Sequence, residues 1–574
     1  MDKKQNAVFN LNNVLISAFS DNYLGKNAIK ENEKLYKYVD DELKEDFDIL
    51  KKGTKYQINP QPEASLISAV TALNQGNNPK SFWEFLRLWK KDKKNIEYLK
   101  SFCIALVKLK AYHIVKDNYI DILEKNKDKD PEILNLIGAV YFGIPEHFAD
   151  AIPYYEKLLK IRPDNVDVNY RLAFLYERVY QDQKLDIQIK YAENALKNAV
   201  DKNTVRILLG KLYYRNGQKD KCVEVLKENL KKDPSPDDII AYSRYLMKEG
   251  HIAEGYGLYR CRFETGNVAY PDALTDDKRW DGKKDLKDST VIVHYEQGFG
   301  DTVMFCRYLP DIAKKAKKVI FVVQKNIIPI LKSSGYDKYC EILSHEADVN
   351  MRIDLGQSNR SVMYSGGSGM AKIPHDYHIP LMDTPYLFDE APDKMKHAGG
   401  YLTVDKEKVE EYRKKYIKKN KKLKIGLAYH GTKDSILTYR DISVKKFLPL
   451  LKMENLEFYS FQSDEYAKEL EELDSSIKIY DLGQEFKDFE DTACALSCMD
   501  LLISTDNVVM NLAGAMGIKA YGLFNVISES RWYKTEGDDI GWYKSVKPFR
   551  AKTFNDWDGL IEEVRKQLIK DFNL

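Results

Sequence analysis

The first half of the chain repeats a helical pattern of apolar and small residues. Segments 136–143, 171–178 and 208–217 each place a large apolar residue beside Gly or Ala, with Tyr three positions after the small residue. The three tyrosines are Tyr141, Tyr176 and Tyr213, and a fourth, Tyr245, continues the series. Successive members are 35, 37 and 32 residues apart. The spacing is close to the roughly 34 residues of a tetratricopeptide repeat. It predicts about four stacked helical hairpins between residues 131 and 264.

The second helix of a repeat is also visible in the sequence. Ala151, Tyr155 and Leu158 occupy its small, aromatic and apolar positions, and Pro163 is placed to end it. A degenerate form of the pattern covers residues 104–126. We therefore predict a repeat array over residues 61–264, preceded by a helical region, residues 1–60, that we do not assign to a fold.

The pattern changes after residue 264. Residues 265–288 are polar, rich in turn residues and without a helical period, which predicts a connection between domains. Short β-branched runs then alternate with helical stretches, which predicts parallel sheets. The runs fall into two sets, one at 291–297 and 319–325, the other at 424–431, 456–462, 477–483, 501–505 and 520–525. The predicted fold class is α + α/β, a helical array followed by two Rossmann-like halves, 289–415 and 416–574.

Length and charge indicate a multidomain protein without a charge excess for binding nucleic acid or a membrane. A chain of 574 residues exceeds the roughly 250 to 300 at which a single core stops growing, so several domains are expected. Lys and Arg number 90 against 88 Asp and Glu, a net charge of +2 that gives no electrostatic footprint for nucleic acid or an anionic membrane. We interpret the basic segment 414–424 as solvated surface.

The cysteines and the apolar runs indicate in which cellular compartment the protein is expected. Seven cysteines are scattered without CxxC spacing, which suits a reducing compartment and argues against a zinc site or a disulfide framework. The N-terminus has no apolar stretch followed by a cleavage site, and no window reaches 18 uninterrupted apolar residues. The sequence predicts no membrane span and a cytoplasmic location.

Residues 291–310 carry the clearest candidate chemistry. A strand is predicted to end at His294, and a loop with Gly298 and Gly300 leads to a helix that starts near Asp301. Glycines let the backbone turn tightly and let a ligand approach, and a helix start offers unpaired N–H groups. The loop also presents Glu296 and Asp301, and a glycosyl transfer needs one carboxylate to take the acceptor proton. These residues alone leave the choice between the two carboxylates open.

The same segment, EQGFGDTVMFCRY, resembles the EQGxGDxxxFxRY motif of tetratricopeptide proteins that carry a domain similar to glycosyltransferase family 9, the heptosyltransferase family. Further blocks between residues 278 and 570 resemble that family in the same order. The resemblance implies a GT-B fold and an inverting transfer that needs neither a metal nor another cofactor. It implies Asp301 as the base, with Glu296, Gln297, Gly298 and Gly300 on the acceptor side.

A second stretch, residues 501–519, is predicted to bind the donor. A strand ends at Thr505, and Asp506 and Asn507 lie at the start of a helix, where dipole and free N–H groups suit a diphosphate. The family pattern reads roughly DTxxxHLAGAxG, and this chain has Asn507 for Thr and Asn511 for His. Asparagine keeps the hydrogen bonding but cannot carry a positive charge.

Without a metal, a departing diphosphate needs fixed cations to offset its charge. Lys433 and Arg440 lie after the first strand of the donor half and resemble the family's basic residues there, although two solvated loop residues remain an alternative interpretation. Arg can bind phosphate bidentately, whereas Lys acts as a point charge. Gln462 is a further candidate for nucleotide contact.

Together these features predict a glycosyltransferase that moves a sugar from a nucleotide-sugar donor to a hydroxyl. The array is predicted to present a protein or peptide acceptor, since such arrays bind peptide segments. Two alternatives stay open. One is a transferase for lipopolysaccharide-type saccharides, and the other is a non-catalytic scaffold with a degenerate transferase domain, which Asn507 and Asn511 favour.

Overall fold

A computed structural model of the chain describes residues 64–76, 78–128, 130–265, 268–269, 274–296, 298–344, 353–354, 361–364, 373–431, 440–533 and 540–574. These residues form two compact units that divide between Gly217 and Gln218. The predicted region 1–60 and two predicted site residues, Gln297 and Lys433, lie outside the described residues. The domain boundaries drawn from the sequence stay predictions.

The first unit is built from helices. They are α1 (Ala64–Asn74), α2 (Asn78–Lys91), α3 (Ile96–Lys108), α4 (Tyr112–Asn118), α5 (Ile120–Glu124), α6 (Pro131–Phe142), α7 (Phe148–Ile161), α8 (Val166–Tyr180), α9 (Leu185–Asn198) and α10 (Lys202–Arg215). The small residues of the sequence pattern allow close helix pairs. A Cβ added to Gly138 of α6 would lie 2.8 Å from the buried Tyr155 ring of α7. α7 ends two residues before Pro163, as predicted.

Capping residues show the repeat period more regularly than the tyrosines do. The first helices of successive repeats begin after a side chain that accepts backbone N–H groups, at Asn95, Asp130, Asn165, Asp201 and Ser235. These positions are 35, 35, 36 and 34 residues apart. Such a cap contributes about 1 kcal/mol to a helix. The series extends the repeat pattern back to α3 and confirms the predicted helical array.

The second unit opens with three helices, α11 (Lys219–Asn229), α12 (Pro236–Lys248) and α13 (Ile252–Leu258), and a 3₁₀ helix, Tyr259–Thr265. Gly255 of α13 lies against α12, where an added Cβ would be 2.7 Å from Met247. The division between the units falls between α10 and α11, within the predicted repeat array.

Two parallel sheets follow, as predicted. The strands of the first are β2 (Thr290–His294), β3 (Lys318–Val323), β4 (Glu341–Ser344) and β7 (Tyr377–Pro380), and those of the second are β8 (Leu423–Ala428), β9 (Leu456–Ser460), β10 (Ile479–Asp481), β11 (Leu501–Thr505), β12 (Ala520–Phe524) and β13 (Val546–Arg550). The four-stranded sheet has the order β4-β3-β2-β7, and the six-stranded sheet has the order β10-β9-β8-β11-β12-β13. A small third sheet joins β1 (Val268–Ala269), β5 (Ile353–Asp354) and β6 (Ser361–Tyr364).

The order of the six-stranded sheet is that of a doubly wound fold. The chain enters at β8, moves outward to β10, and returns beside β8 as β11. In the register of these central strands, Ile425 pairs with Leu501 and with Phe458. Ligands of such sheets bind at the carboxyl ends of the strands where the order reverses. The corresponding points here are β8 with β11 and, in the smaller sheet, β2 with β7. The fold class α + α/β is confirmed.

Helices cover the sheets, which explains why the strands read as continuous apolar runs rather than alternating ones. Every residue of β9, β11 and β12 is buried. The helices are α14 (Phe299–Phe305), α15 (Leu309–Ala313), α16 (Ile328–Ser333), α17 (Thr384–Leu387), α18 (Lys406–Tyr416), α19 (Leu448–Leu451), α20 (Phe489–Leu496), α21 (Val508–Ala515) and α22 (Trp557–Phe572). In the described part of the chain, no helix has the length and apolar character needed to span a bilayer.

Candidate active site

The two predicted halves meet where helix α14, after β2, contacts helix α21, after β11. Gly300 in the first turn of α14 makes this approach possible. A Cβ added there would lie 3.2 Å from Asn511 Nδ2 and 3.9 Å from Val508 Cα of α21. Gly298 has open space where its Cβ would be. Gly300 therefore allows the close contact between the halves, whereas Gly298 borders open space in this loop.

Asp301 follows Gly300 and faces the other half. Its Oδ1 accepts a hydrogen bond from Nη1 of Arg531, a residue that follows β12. The side chains are 11% and 17% exposed, so the ion pair is largely, but not fully, removed from water. The main-chain oxygen of Arg531 accepts from Trp542 Nε1 at 2.8 Å. Arg531 was not among the site residues predicted from the sequence, although it lies in a block, residues 530–550, that supported the family resemblance.

Glu296, the other carboxylate of the loop, is enclosed. Arg262 donates from Nε to Glu296 Oε2 at 2.6 Å and from Nη2 to Oε1 at 2.7 Å. The Met382 N–H adds a third bond to Oε1 at 3.0 Å. The Glu296 side chain is 0% exposed and that of Arg262 is 1% exposed. Both carboxylate oxygens therefore serve a buried ion pair that joins the end of β2 to the 3₁₀ helix 259–265.

Asp383 completes this ion-pair network. It contacts Arg262 at 2.9 Å and accepts two bonds of 2.7 Å from Arg279. Burial opposes the ionisation of Asp383, but the guanidinium groups of Arg262 and Arg279 outweigh that effect and hold its pKa well below the usual range. Three arginines, with Arg260 at 3.4 Å, thus surround two carboxylates. The network fixes the segment that precedes the first sheet onto the carboxyl ends of β2 and β7.

A further arginine, Arg307, is fully buried and holds the halves together. Arg307, just after α14, donates to the main-chain oxygens of Met304 at 2.7 Å and Trp542 at 2.9 Å. Its guanidinium lies 4.7 Å from the ring centre of Tyr401 and 4.9 Å from that of Tyr543. Tyr543 in turn donates to Asn511 at 3.0 Å. The arginine of the EQGFGDTVMFCRY segment thus has a packing role.

The two asparagines that depart from the family pattern are engaged within the donor half. Asn507 caps α21, because its Oδ1 accepts from the N–H groups of Val509 at 2.9 Å and Met510 at 3.2 Å. Asn511 donates from Nδ2 to the main-chain oxygen of Asn507 at 2.9 Å. Two of the N–H groups at this helix start are therefore bonded to the chain's own side chain.

Asp506 and Arg440 lie at the carboxyl ends of β11 and β8. Burial raises the pKa of Asp506 to about 6, the Arg440 charge partly offsets this, and Glu529 adds to it. Arg440 lies over Gly431, where an added Cβ would be 2.7 Å from the guanidinium. Two predicted donor residues thus follow the two strands at which the strand order reverses.

Gln462 shapes the loop after β8. Its Oε1 accepts from the N–H groups of His430 at 3.1 Å and Tyr429 at 3.4 Å, and its Nε2 donates to Asp464 at 2.8 Å. The His430 ring stacks on Tyr466 with centroids 4.0 Å apart and pairs with Glu469 at 2.7 Å. These neighbours were not among the site residues predicted from the sequence. Among the described residues, no group of three or more His, Cys, Asp or Glu side chains is arranged to hold a metal ion.

Comparisons with known proteins give the following similarities. No family model matches the chain. The protein FlbA of Caulobacter vibrioides is 23% identical over 477 residues, which cover 79% of this chain and 70% of FlbA. The structure of a glycosyl transferase family 9 protein from Veillonella parvula is similar with a TM-score of 0.34 and 10% identity, over 51% of this chain and 99% of that one. A tetratricopeptide protein of Thermus thermophilus is similar with a TM-score of 0.25 and 15% identity, over 32% and 96%.

Proposed function

We propose that the second unit is a glycosyltransferase that binds a nucleotide-sugar at the carboxyl ends of β8 and β11 and transfers the sugar to an acceptor hydroxyl. The observation that carries the proposal is the position of Asp301, which follows Gly300 at the contact with the start of α21 and has a side chain that is 11% exposed. Arg440, whose charge acts on the Asp506 carboxyl, supplies a cation on the donor side. A metal-independent transferase needs this combination of a base and fixed positive charge.

Asp301 is the better base of the two carboxylates. The Glu296 oxygens both accept from Arg262, and a proton placed on either would leave a buried guanidinium with half its partner. Asp301 is 11% exposed, whereas Glu296 is 0% exposed. In the proposed step the acceptor oxygen bonds to the anomeric carbon while the bond from that carbon to the diphosphate oxygen breaks. The hydroxyl proton passes to Asp301, and the electron pair leaves with the diphosphate.

We further propose that the acceptor is a protein or peptide held by the first unit. Two half-buried aromatic side chains, Phe142 on α6 and Phe174 on α8, have ring centroids 5.6 Å apart on the first helices of two successive hairpins. Arg171 lies 5.0 Å over the Phe142 ring, and Arg178 lies 5.1 Å over the Phe174 ring. Aromatic and arginine side chains are enriched at protein interfaces. This group supports an acceptor site on the array.

A non-catalytic scaffold is the second candidate. The observation that favours it is the use of Asn507 and Asn511 in hydrogen bonds within the donor half. In this alternative the array recruits a partner and the second unit turns over no substrate.

The test of the chemistry is Asp301→Asn. Asparagine fills the same volume but cannot accept the proton, so transfer is expected to be lost while nucleoside diphosphates still raise the melting temperature. Melting is measured with ADP, CDP, GDP and UDP, and transfer with the matching nucleotide-sugars in EDTA, by mass shifts of host proteins. Asp311→Asn is the matched control, since Asp311 pairs with His397 at 2.7 Å outside the site. Full transfer by Asp301→Asn would remove Asp301 as the base, and ligand binding without transfer by the wild type would favour the scaffold.

The test of the acceptor site is Phe174→Ser. If the array presents the acceptor, this change is expected to abolish transfer to protein and leave the nucleotide-dependent rise in melting temperature unchanged. Ile161→Ser is the control, because Ile161 is 52% exposed at the end of α7, the second helix of its hairpin. Circular dichroism checks folding of both variants. Unchanged protein transfer in Phe174→Ser would instead favour an acceptor bound entirely in the second unit.

A further inference from the structure

The ion pair between Arg531 and Asp301 joins the two halves across the candidate site. Asp301 belongs to the first turn after β2, and Arg531 lies 230 residues further along the chain. The main chain of Arg531 is fixed by Trp542, whose fully buried ring makes an edge contact of 5.7 Å with Phe305 of α14. The anchor of the arginine is therefore rigid, and its side chain is the part that can change partner.

This pairing opposes the proposed role of Asp301. A guanidinium next to a carboxylate favours the ionised form and makes it a weaker base. It also occupies Oδ1, one of the two oxygens that could take the acceptor proton. Transfer therefore requires that Arg531 leave Asp301 at the stage when donor and acceptor are both present.

A bound diphosphate offers Arg531 a better partner. It carries more negative charge than one carboxylate, and arginine binds phosphate oxygens bidentately. The donor position is close, because Gly300, the residue before Asp301, packs against the first turn of α21, where an added Cβ would lie 3.2 Å from Asn511 Nδ2 and 3.9 Å from Val508 Cα. Glu529, two residues before Arg531, contributes to the raised pKa of the Asp506 carboxyl. A diphosphate at the start of α21 would thus lie beside the arginine.

We propose that Arg531 is a positioning residue that exchanges partners. In the donor-free enzyme it holds Asp301, and when the donor binds it turns to the diphosphate and leaves Asp301 available to the acceptor hydroxyl. The inference rests on the proposed function. It makes donor binding the step that activates the base, so that the donor binds before the acceptor.

Thermodynamic linkage gives the test. If Arg531 must leave Asp301 to bind a diphosphate, removal of the Asp301 charge tightens diphosphate binding. Asp301 also repels a diphosphate directly, and that effect remains when Arg531 is absent. A double-mutant cycle with Asp301→Asn, Arg531→Ala and the double variant separates the two effects.

The probe is inorganic pyrophosphate, followed by ADP, CDP, GDP and UDP, with calorimetry on the full chain. Asp301→Asn is expected to tighten binding about tenfold when Arg531 is present and less than about threefold in Arg531→Ala. Arg531→Ala alone weakens binding, and Arg531→Lys restores part of it. Arg565→Ala, which removes a half-buried arginine paired with Glu562 on α22, is the control and leaves every value unchanged.

The outcomes separate the two proposals. If Asp301→Asn tightens binding equally with and without Arg531, the partner exchange is overturned, while the proposed transferase stands. If the wild-type chain binds neither pyrophosphate nor any of the four nucleotides, the proposed function is overturned and the exchange with it. Arg531→Gln removes the positive charge and keeps a polar side chain, so the cycle is repeated with that variant if Arg531→Ala does not fold.

Discussion

Replacement of Glu296 by Gln distinguishes a buried anchor from a catalytic carboxylate. Glutamine has the same length, but its amide presents one acceptor and one donor group where the carboxylate presents two acceptors. Arg262 donates to both oxygens and Met382 donates to one of them. In the variant, an amide N–H must face an Arg262 N–H, and the guanidinium loses one of its two counter-charges.

The expected loss follows from the burial of this pair. Breaking a fully buried ion pair by removing one partner costs about 3 to 5 kcal/mol. Asp383 remains 2.9 Å from Arg262 and keeps part of its charge compensated, so the lower end of that range applies. We expect Glu296→Gln to lower the free energy of unfolding of the second unit by about 3 kcal/mol.

The assay is urea unfolding followed by tryptophan fluorescence, with Trp83 and Trp89 replaced by Phe so that the remaining four tryptophans, all in the second unit, report. Glu457→Gln is the control, because Glu457 pairs with Lys424 at 3.0 Å and both side chains keep some exposure, 8% and 9%. A smaller loss, about 1 kcal/mol, is expected there. Unchanged stability in Glu296→Gln, together with loss of transfer, would show that the anchoring argument is wrong and that Glu296 acts in the reaction.

Two further predictions concern the contact between the halves and the donor side. Asp506 has a pKa of about 6 in the folded protein, above the ordinary 3.8, because burial disfavours its ionised form. The protonated Asp506 therefore costs no stability below about pH 4, and the free energy of unfolding falls as the pH rises from about 4 through 6. Asp506→Asn should therefore raise the free energy of unfolding by up to about 3 kcal/mol at pH 7.5 and hardly at pH 4, and equal effects in urea at both pH values would contradict this. Gly300→Ala should lower the melting temperature, because its Cβ would lie 3.2 Å from Asn511, whereas Gly298→Ala should not; the same shift in both would refute the packing role of Gly300.

The fold was accessible from the sequence because its signals are local. The tyrosine spacing predicted the array, and the apolar runs predicted parallel sheets, since strands covered on both faces show no alternation. The capping series from Asn95 to Ser235 is an equally local signal that the sequence analysis did not use. It would have traced the repeats back to α3 without reference to the tyrosines.

The partners in the candidate site were not accessible in the same way. Glu296 pairs with a residue 34 positions before it, and Asp301 pairs with one 230 positions after it. No spacing rule connects such residues, because the sheet order brings them together rather than the period of a helix or strand. Glu296 and Asp301 look alike in the sequence, and only the position of Arg262 separates a buried carboxylate from a partly exposed one.

Asn507, which caps α21, limits what the start of this helix can offer to a donor diphosphate. A helix start attracts a diphosphate through unpaired N–H groups, but Asn507 already accepts those of Val509 and Met510. The asparagine at position 511, in place of the family's histidine, supplies no charge. Among the described residues, the proposed charge compensation for a leaving diphosphate then comes from guanidinium groups, namely those of Arg440 and Arg531. An arginine that also holds Asp301 therefore links charge compensation to the availability of the base, which a helix start alone could not do.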